Sequence, residues 1–243
     1  EDSKQSSNTT ETDTVPTVFE HNNPGNFSDL PVNIYDPTTA TQANGYQRTQ
    51  FQSGGVLNVI PADRISKVAL AAFAYYPMPT NSALTNNYTY TGAVINNYNH
   101  FDLRLDHDFG SKWHSFVRFS HLSNPNTPFA DFPGSNGVAS QGYGGPSKSS
   151  AYSASFDNAI TLSPSLVMDL RAGFSRSAVV RTAFGGDSFD LSSLNLPASY
   201  VSVASANAAV FPNFGMGNGY ASLGSAGYVP LLENPSAVDF NPS

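Results

Sequence analysis

Cysteine is absent from the 243 residues, and with it go disulfide staples, thiol nucleophiles and zinc–thiolate centres. Charge is scarce: Asp, Glu, Lys and Arg make up 12% of the chain, and 11 basic residues against 18 acidic ones leave a net charge of −7. The basic residues are scattered and form no stripe that could track a phosphate backbone, so nucleic acid is not expected as a partner. No run of 18 apolar residues occurs either, which excludes a helical membrane protein and leaves strands as the only way into a bilayer. Phosphate-loop spacing is missing too. Gly215, Gly217 and Gly219 alternate without the helix that a nucleotide fingerprint needs, and no cofactor is expected.

Aromatic residues, by contrast, are plentiful, with 17 Phe and 12 Tyr beside 19 Gly. Many of them fall into four stretches, residues 100–109, 113–122, 152–162 and 166–176, in which apolar and polar side chains alternate. In the first, Phe101, Leu103, Leu105 and Phe109 share one parity, while His100, Asp102, Arg104, Asp106 and Asp108 fill the other. Period two puts the two sets on opposite faces of a strand. The second stretch sets Trp113, Val117 and Phe119 against His114, Arg118 and Ser120, with Phe116 breaking the pattern. The third sets Tyr152, Ala154, Phe156, Ile160 and Leu162 against Ser153, Ser155, Asp157 and Thr161. The fourth opposes Leu166, Met168, Leu170, Ala172 and Phe174 to Asp169, Arg171, Gly173 and Ser175. Each stretch matches the roughly 9–11 tilted residues that cross a hydrocarbon layer.

The connections point the same way. Residues 110–112 and 163–165 make tight hairpins, whereas residues 123–151 and the tail from 177 are long and rich in Gly, Ser, Asn and Pro. Short turns at one rim and long loops at the other describe an outer-membrane barrel with its short turns in the periplasm. The expected fold is therefore all-β, part of a transmembrane antiparallel barrel: four long strands in two hairpins, long extracellular loops and one short helix. Four strands close no barrel. The chain opens at Glu1 without a signal peptide, and residues 234–243 look loop-like, so it reads as an internal fragment.

Outside the strands, residues 1–60 read as irregular and residues 1–99 as an extracellular segment. Within it, Ile65, Val68, Ala69, Ala72, Phe73 and Tyr76 fall on one helical stripe, with Asp63 or Ser66 as N-cap and Pro77 as stop, predicting a helix near 65–76. A weaker helical pattern runs over 189–200, broken by Pro197, inside a second extracellular segment, 177–243.

Asp102, Arg104, Asp106, His114 and Arg118 should meet on the polar side of the first hairpin, and Asp169 and Arg171 share the polar parity of the last stretch. These seven are the candidate lumen network, structural or selective. Phe129, Phe132 and Tyr143 stand among small polar loop residues and are candidate ligand contacts, or else simply pack the loop. His100, His107, His114 and His121 recur every seven residues, but strand parity sends alternate members to opposite faces, so no metal site is expected. Nor does any nucleophile stand with a base and orienter, and the chain is not expected to be an enzyme.

The ordered words of the chain resemble one family, the TonB-dependent outer-membrane transporters of the Oar-like subtype, which carry a carboxypeptidase-regulatory-like domain at the N-terminus. The resemblance runs through VPT at 15–17, GNFSDLP at 25–31, IYDPTT at 34–39, NVIPADRI at 58–65 and AYYPMP at 74–79. NNYNHFDLRLDHDFGSKWHSFVRFS at 96–120 is its most specific piece, followed by LNLPASYV at 194–201, FPNF at 211–214 and GYASLG at 219–224. It implies a barrel segment in contact with outer-membrane lipid, an unknown extracellular ligand bound by the loops, and uptake driven by an inner-membrane TonB-type coupling protein acting through a plug and coupling box outside these residues. The alternatives are an uncoupled porin-like channel and a secreted all-β adhesin or carbohydrate-binding module.

Overall fold

Period-two segments of this length can satisfy their backbone only by pairing with one another, and in the computed structural model they do. It describes residues 1–140, 144–225 and 229–242. One antiparallel sheet dominates, built from β1 (Asp2–Asp13), β2 (Tyr88–Asp108), β3 (Trp113–Thr127), β4 (Ser147–Ser163), β5 (Leu166–Arg181), β6 (Leu231–Glu233) and β7 (Ser236–Pro242). The order is β1-β2-β3-β4-β5, with β6 and β7 both laid along the far edge of β5. The sheet is open, as expected of part of a barrel wall. At the β2–β3 turn Gly110 takes φ +112°, a conformation that a side chain would oppose, and the Phe109 N–H closes the turn on the Trp113 carbonyl at 2.8 Å.

Several boundaries differ from the sequence reading: β3 runs on to Thr127, β4 starts at Ser147 and β5 runs on to Arg181, where 122, 152 and 176 were expected. Residues 2–13 are not irregular but pair along their whole length with residues 88–99, so β2 begins at Tyr88 and not at His100. The terminal stretch is also a strand, β7, with Val238 and Phe240 opposite Phe174 and Ala172. β1 was hidden because beyond the bilayer a strand is wetted on both faces, and DSKQSSNTTETD carries no apolar parity to read; β7 was hidden because it is seven residues long and carries Pro242 at its end. The strands accordingly overshoot the membrane-crossing length, β2 reaching 21 residues.

In the register, Leu105 faces Val117, Val117 faces Phe156, and Phe156 faces Ala172, which also lies opposite Phe240. A continuous apolar band results. Between Phe109 and Phe101 it runs eight residues, about 26 Å along the strand and roughly 20 Å in height at a tilt near 40°, somewhat under the ~25 Å apolar belt of outer-membrane barrels. Phe109 stacks on Trp113 at 4.3 Å at the turn end, and His121 on Tyr152 at 4.5 Å at the other. These pairs mark the two aromatic girdles. Among the described residues no second sheet covers the band, and Leu105 is 60% exposed.

The remaining described segments, residues 14–87, 128–140 with 144–146, and 182–225 with 229–230, leave the sheet at the rim away from the tight turns. They contain the helices α1 (Val18–Asn22), α2 (Lys67–Phe73) and α3 (Ala198–Asn207). α2 lies within the expected span and is capped by Ser66, which accepts the Ala69 N–H, but it ends at Phe73, before Pro77. The weaker pattern resolves into a single 3-10 turn at Leu191–Leu194 and α3, which starts directly after Pro197. The molecule's main buried cluster lies here: Val15, Ala72 and Tyr76 meet Phe132 and Ala139, and both meet Leu194, Phe211, Ala221 and Leu223, with Tyr88 of β2 beneath. Each of the three segments contributes. The extracellular loop segments of the sequence reading thus form one cap with a common core.

Candidate functional site: a charged face beneath a loop cap

Opposite the apolar band, the register aligns Asp102 with Ser120, Arg104 with Arg118, and Asp106 with Phe116. Two arginines directly across a ladder would repel. Each is instead neutralised locally: Arg118 reaches Asp102 at 3.0 Å and Arg104 grips Asp106, its neighbour two residues along the strand, at 2.8 Å. Phe116, the residue that broke the alternation, lies under the Arg104 guanidinium, which sits 3.9 Å from the ring centroid in a cation–π contact. Asp102 also receives the Ser120 hydroxyl and lies 2.9 Å from His100. His114 bonds Asp108 at 2.7 Å and approaches Asp106 at 3.5 Å. Across the sheet, Arg171 bridges Asp157 at 2.8 Å and Asp169 at 2.5 Å.

All seven candidate network residues therefore lie on one face, in two groups. Asp102, Arg104, Asp106, His114 and Arg118 form the first; Asp169 and Arg171 form the second with Asp157, which the candidate set lacked although its parity marks it. Beside the second group, on the same strand as Arg171, Gly173 presents no side chain, leaving a shallow depression edged by Phe116, Asp157, Arg171 and Asp239. Acids outnumber arginines on this face. Its chemistry is electrostatic: it offers carboxylates, guanidiniums and imidazoles in fixed places to a charged solute or protein surface. His107 and His121 point to the apolar side, so the seven-residue histidine repeat is divided between faces.

The cap sits over the same face. Tyr88 and Tyr90 share its parity, stack at 5.4 Å and carry the cap aromatics: Phe132 lies 6.2 Å from Tyr88, and Phe129 lies 5.8 Å from Tyr90. Gly92 makes this possible, since a Cβ there would come within 2.2 Å of the Phe129 ring. Of the candidate ligand contacts, Phe132 is corrected: at 1% exposure it packs the core and presents nothing to solvent. Phe129 packs the loop against β2, and Tyr143 lies outside the described residues.

Buried polar groups tie the cap segments together. The Asn87 side chain, fully buried, accepts the Val15 N–H at 2.8 Å and donates to the Val15 carbonyl at 2.9 Å, acting as a short strand partner. Glu20, 1% exposed, accepts the Thr17 N–H at 2.7 Å and the Tyr220 hydroxyl at 2.8 Å, joining the first segment to the third. Tyr76 donates to the Ala221 carbonyl, and Tyr88 to that of Asp131 at 3.0 Å. Burial raises the pKa of Tyr76, Tyr88, Tyr90 and Tyr220 above that of a free phenol, with the Glu20 carboxylate adding to it at Tyr220, so each remains a protonated donor. Within the first segment, Arg64 clasps Asp36 at 2.7 Å and 3.0 Å. The bonds from Arg64 and Thr38 hold that carboxyl well below the usual carboxylate range. The Thr17–Glu20 pair is a local capping box and the Thr38–Asp36 bond a local turn, but the ties of Asn87 to Val15, Tyr220 to Glu20, Tyr76 to Ala221, Tyr88 to Asp131 and Arg64 to Asp36 join residues distant along the chain, and no periodicity pairs them.

No curated protein and no solved structure matches the chain. A protein-family comparison does: the outer membrane beta barrel domain matches residues 1–242. Together with the open antiparallel sheet, its bare apolar band and its charged reverse, that match decides the assignment. The chain belongs to the outer membrane beta barrel domain family and is a piece of a barrel wall in the bacterial outer membrane.

Proposed function

We propose that this chain is part of the barrel of a TonB-dependent transporter that binds a ligand at the cell surface and carries it across the outer membrane. The observation behind the proposal is the cap. Three long segments share one core, and they share it on the charged side of the wall, so that with the tight turns in the periplasm they lean over the lumen mouth. A mouth overhung by a packed cap suits a gated, ligand-recognising barrel. The run of motifs similar to the Oar-like subtype supports the same reading, and on it the ion-paired face lines the lumen where a plug would bear. Coupling would then come from a TonB-type protein through parts of the receptor outside these residues. Catalysis has no place in the proposal. A soluble adhesin would need its apolar face buried in a core, and among the described residues the band of Phe101, Leu105 and Phe240 has no such cover.

The test is made on the complete protein containing this chain, reconstituted into planar bilayers and also offered to the isolated periplasmic domain of a TonB-type protein. A plugged transporter shows no steady conductance and binds the coupling domain. A steady ohmic conductance without coupling-domain binding overturns the proposal in favour of the porin-like channel.

A further inference from the structure

Just beyond the apolar band, on the same outward face, the sheet changes character. Phe101, His121, Tyr152 and Arg176 are successive partners across β2, β3, β4 and β5 and form the band's upper edge. Four residues further out, about 13 Å along the strands, Lys4 pairs with Asn97 on β2 and Lys148 with Pro125 on β3, both on that face. Lys4, Lys148 and Arg176 are exposed, and among the described residues none forms an ion pair with a carboxylate. Arg176 is steadied by Asn234, which accepts its Nε–H at 2.8 Å. Asp2 is the single acid on this face above the band among the described residues, whereas Glu11, Asp13 and Glu233 all lie on the reverse. In a chain with 11 basic residues and a net charge of −7, this outward cationic strip runs against the overall balance.

Cations directly above a lipid-facing band, bordered by Tyr152 and His121, meet whatever headgroup tops the acyl chains packed on that band. We infer that the strip formed by Lys4, Lys148 and Arg176 is a docking site for a phosphorylated glycolipid of the outer leaflet, its phosphates held by these cations and its acyl chains lying on Phe101, Phe119 and Phe174. The lipid is favoured over free phosphate because the site is open, lacks the enclosing donors a lone anion needs, and continues directly into the apolar band. It rests on the proposed orientation, with the cap outside the cell, and not on what the barrel transports.

The complete protein, purified in detergent, is offered bisphosphorylated lipid A, the same lipid stripped of phosphate, phosphatidylglycerol and inorganic phosphate, and retained lipid is counted by native mass spectrometry. The bisphosphorylated lipid should be retained by wild type and at least tenfold less by a Lys4→Ser, Lys148→Ser, Arg176→Ser variant. The charge-keeping Lys148→Arg, Arg176→Lys variant should retain it. Equal retention of the stripped lipid or of phosphatidylglycerol, or displacement by inorganic phosphate, overturns the site, and the wild-type series alone decides this if the triple variant does not assemble. A Ser135→Cys label on intact cells keeps orientation separate: no labelling overturns the orientation and the site with it, whereas labelling with unchanged retention by the triple variant overturns the site alone.

Discussion

The wall and the cap of this molecule are held in opposite ways. The wall has almost no interior; its strands are fixed by ladder hydrogen bonds, and its apolar side chains wait for lipid. The cap has a true core, yet little regular structure, and depends on a few buried contacts between residues far apart in sequence. A bilayer-facing sheet can be specified by a repeating pattern, because its solvent is the same at every strand. A loop core must be specified residue by residue.

That contrast can be broken from either side. The largest effect is expected for Phe132→Ala, which empties the centre of the cap at a cost of about 3–5 kcal/mol; limited proteolysis should then cut residues 128–146 in a protein that still migrates as a folded barrel on heat-modifiability gels. Leu105→Arg should do the reverse, since a lipid-facing charge at mid-membrane costs about 2–4 kcal/mol, and the protein should fail to reach the outer-membrane fraction. If it assembles like wild type, the assignment of faces is wrong. Asn87→Ala strands the buried N–H and carbonyl of Val15, worth about 1–3 kcal/mol for an unsatisfied group, and should lower the cap's melting temperature alone.

A pH series sharpens the comparison further. The cap tyrosines have raised pKa values in the folded state, so their contribution is fully present below the free phenol value of about 10 and is lost as pH rises through the folded values. Protease resistance of the cap should be flat from neutral to mildly alkaline pH and fall above that, while the barrel's gel mobility holds. The smallest effect is expected for Asp102→Ala: on an exposed network with redundant partners, assembly and heat-modifiability should stay within error of wild type.

How much was legible follows the same division. The four membrane-crossing stretches, their faces and all seven network residues could be read from parity, because water on one side and lipid on the other write period two into the chain. Phe116 looked like an error in that pattern and is a platform for Arg104. β1 and β7 escaped notice, β1 because it has no apolar face and β7 because a seven-residue strand with proline at its end resembles a loop. In the cap, the stripe of α2 foretold that Ala72 and Tyr76 would be buried, but nothing in local sequence announced that Asn87 would bind Val15 or Glu20 would bind Tyr220. Phe132 could not be told from a surface aromatic by its small polar neighbours, since those same neighbours are what a tightly turning buried loop requires.

The overshoot of the strands has a consequence for what the outside world meets. From Asn99, just above the band, β2 climbs eleven more residues to Tyr88, about 36 Å along the strand and roughly 28 Å in height at a tilt near 40°. With the cap outside the cell, as proposed, it is carried on a stiff collar, clear of the bilayer surface and into the depth occupied by the sugars of the outer leaflet. In that orientation, large particles arriving at the cell would encounter the cap before they encounter the membrane, so sequence change in this protein should be tolerated most on the cap's exposed skin and least in the Phe132 core that holds it aloft.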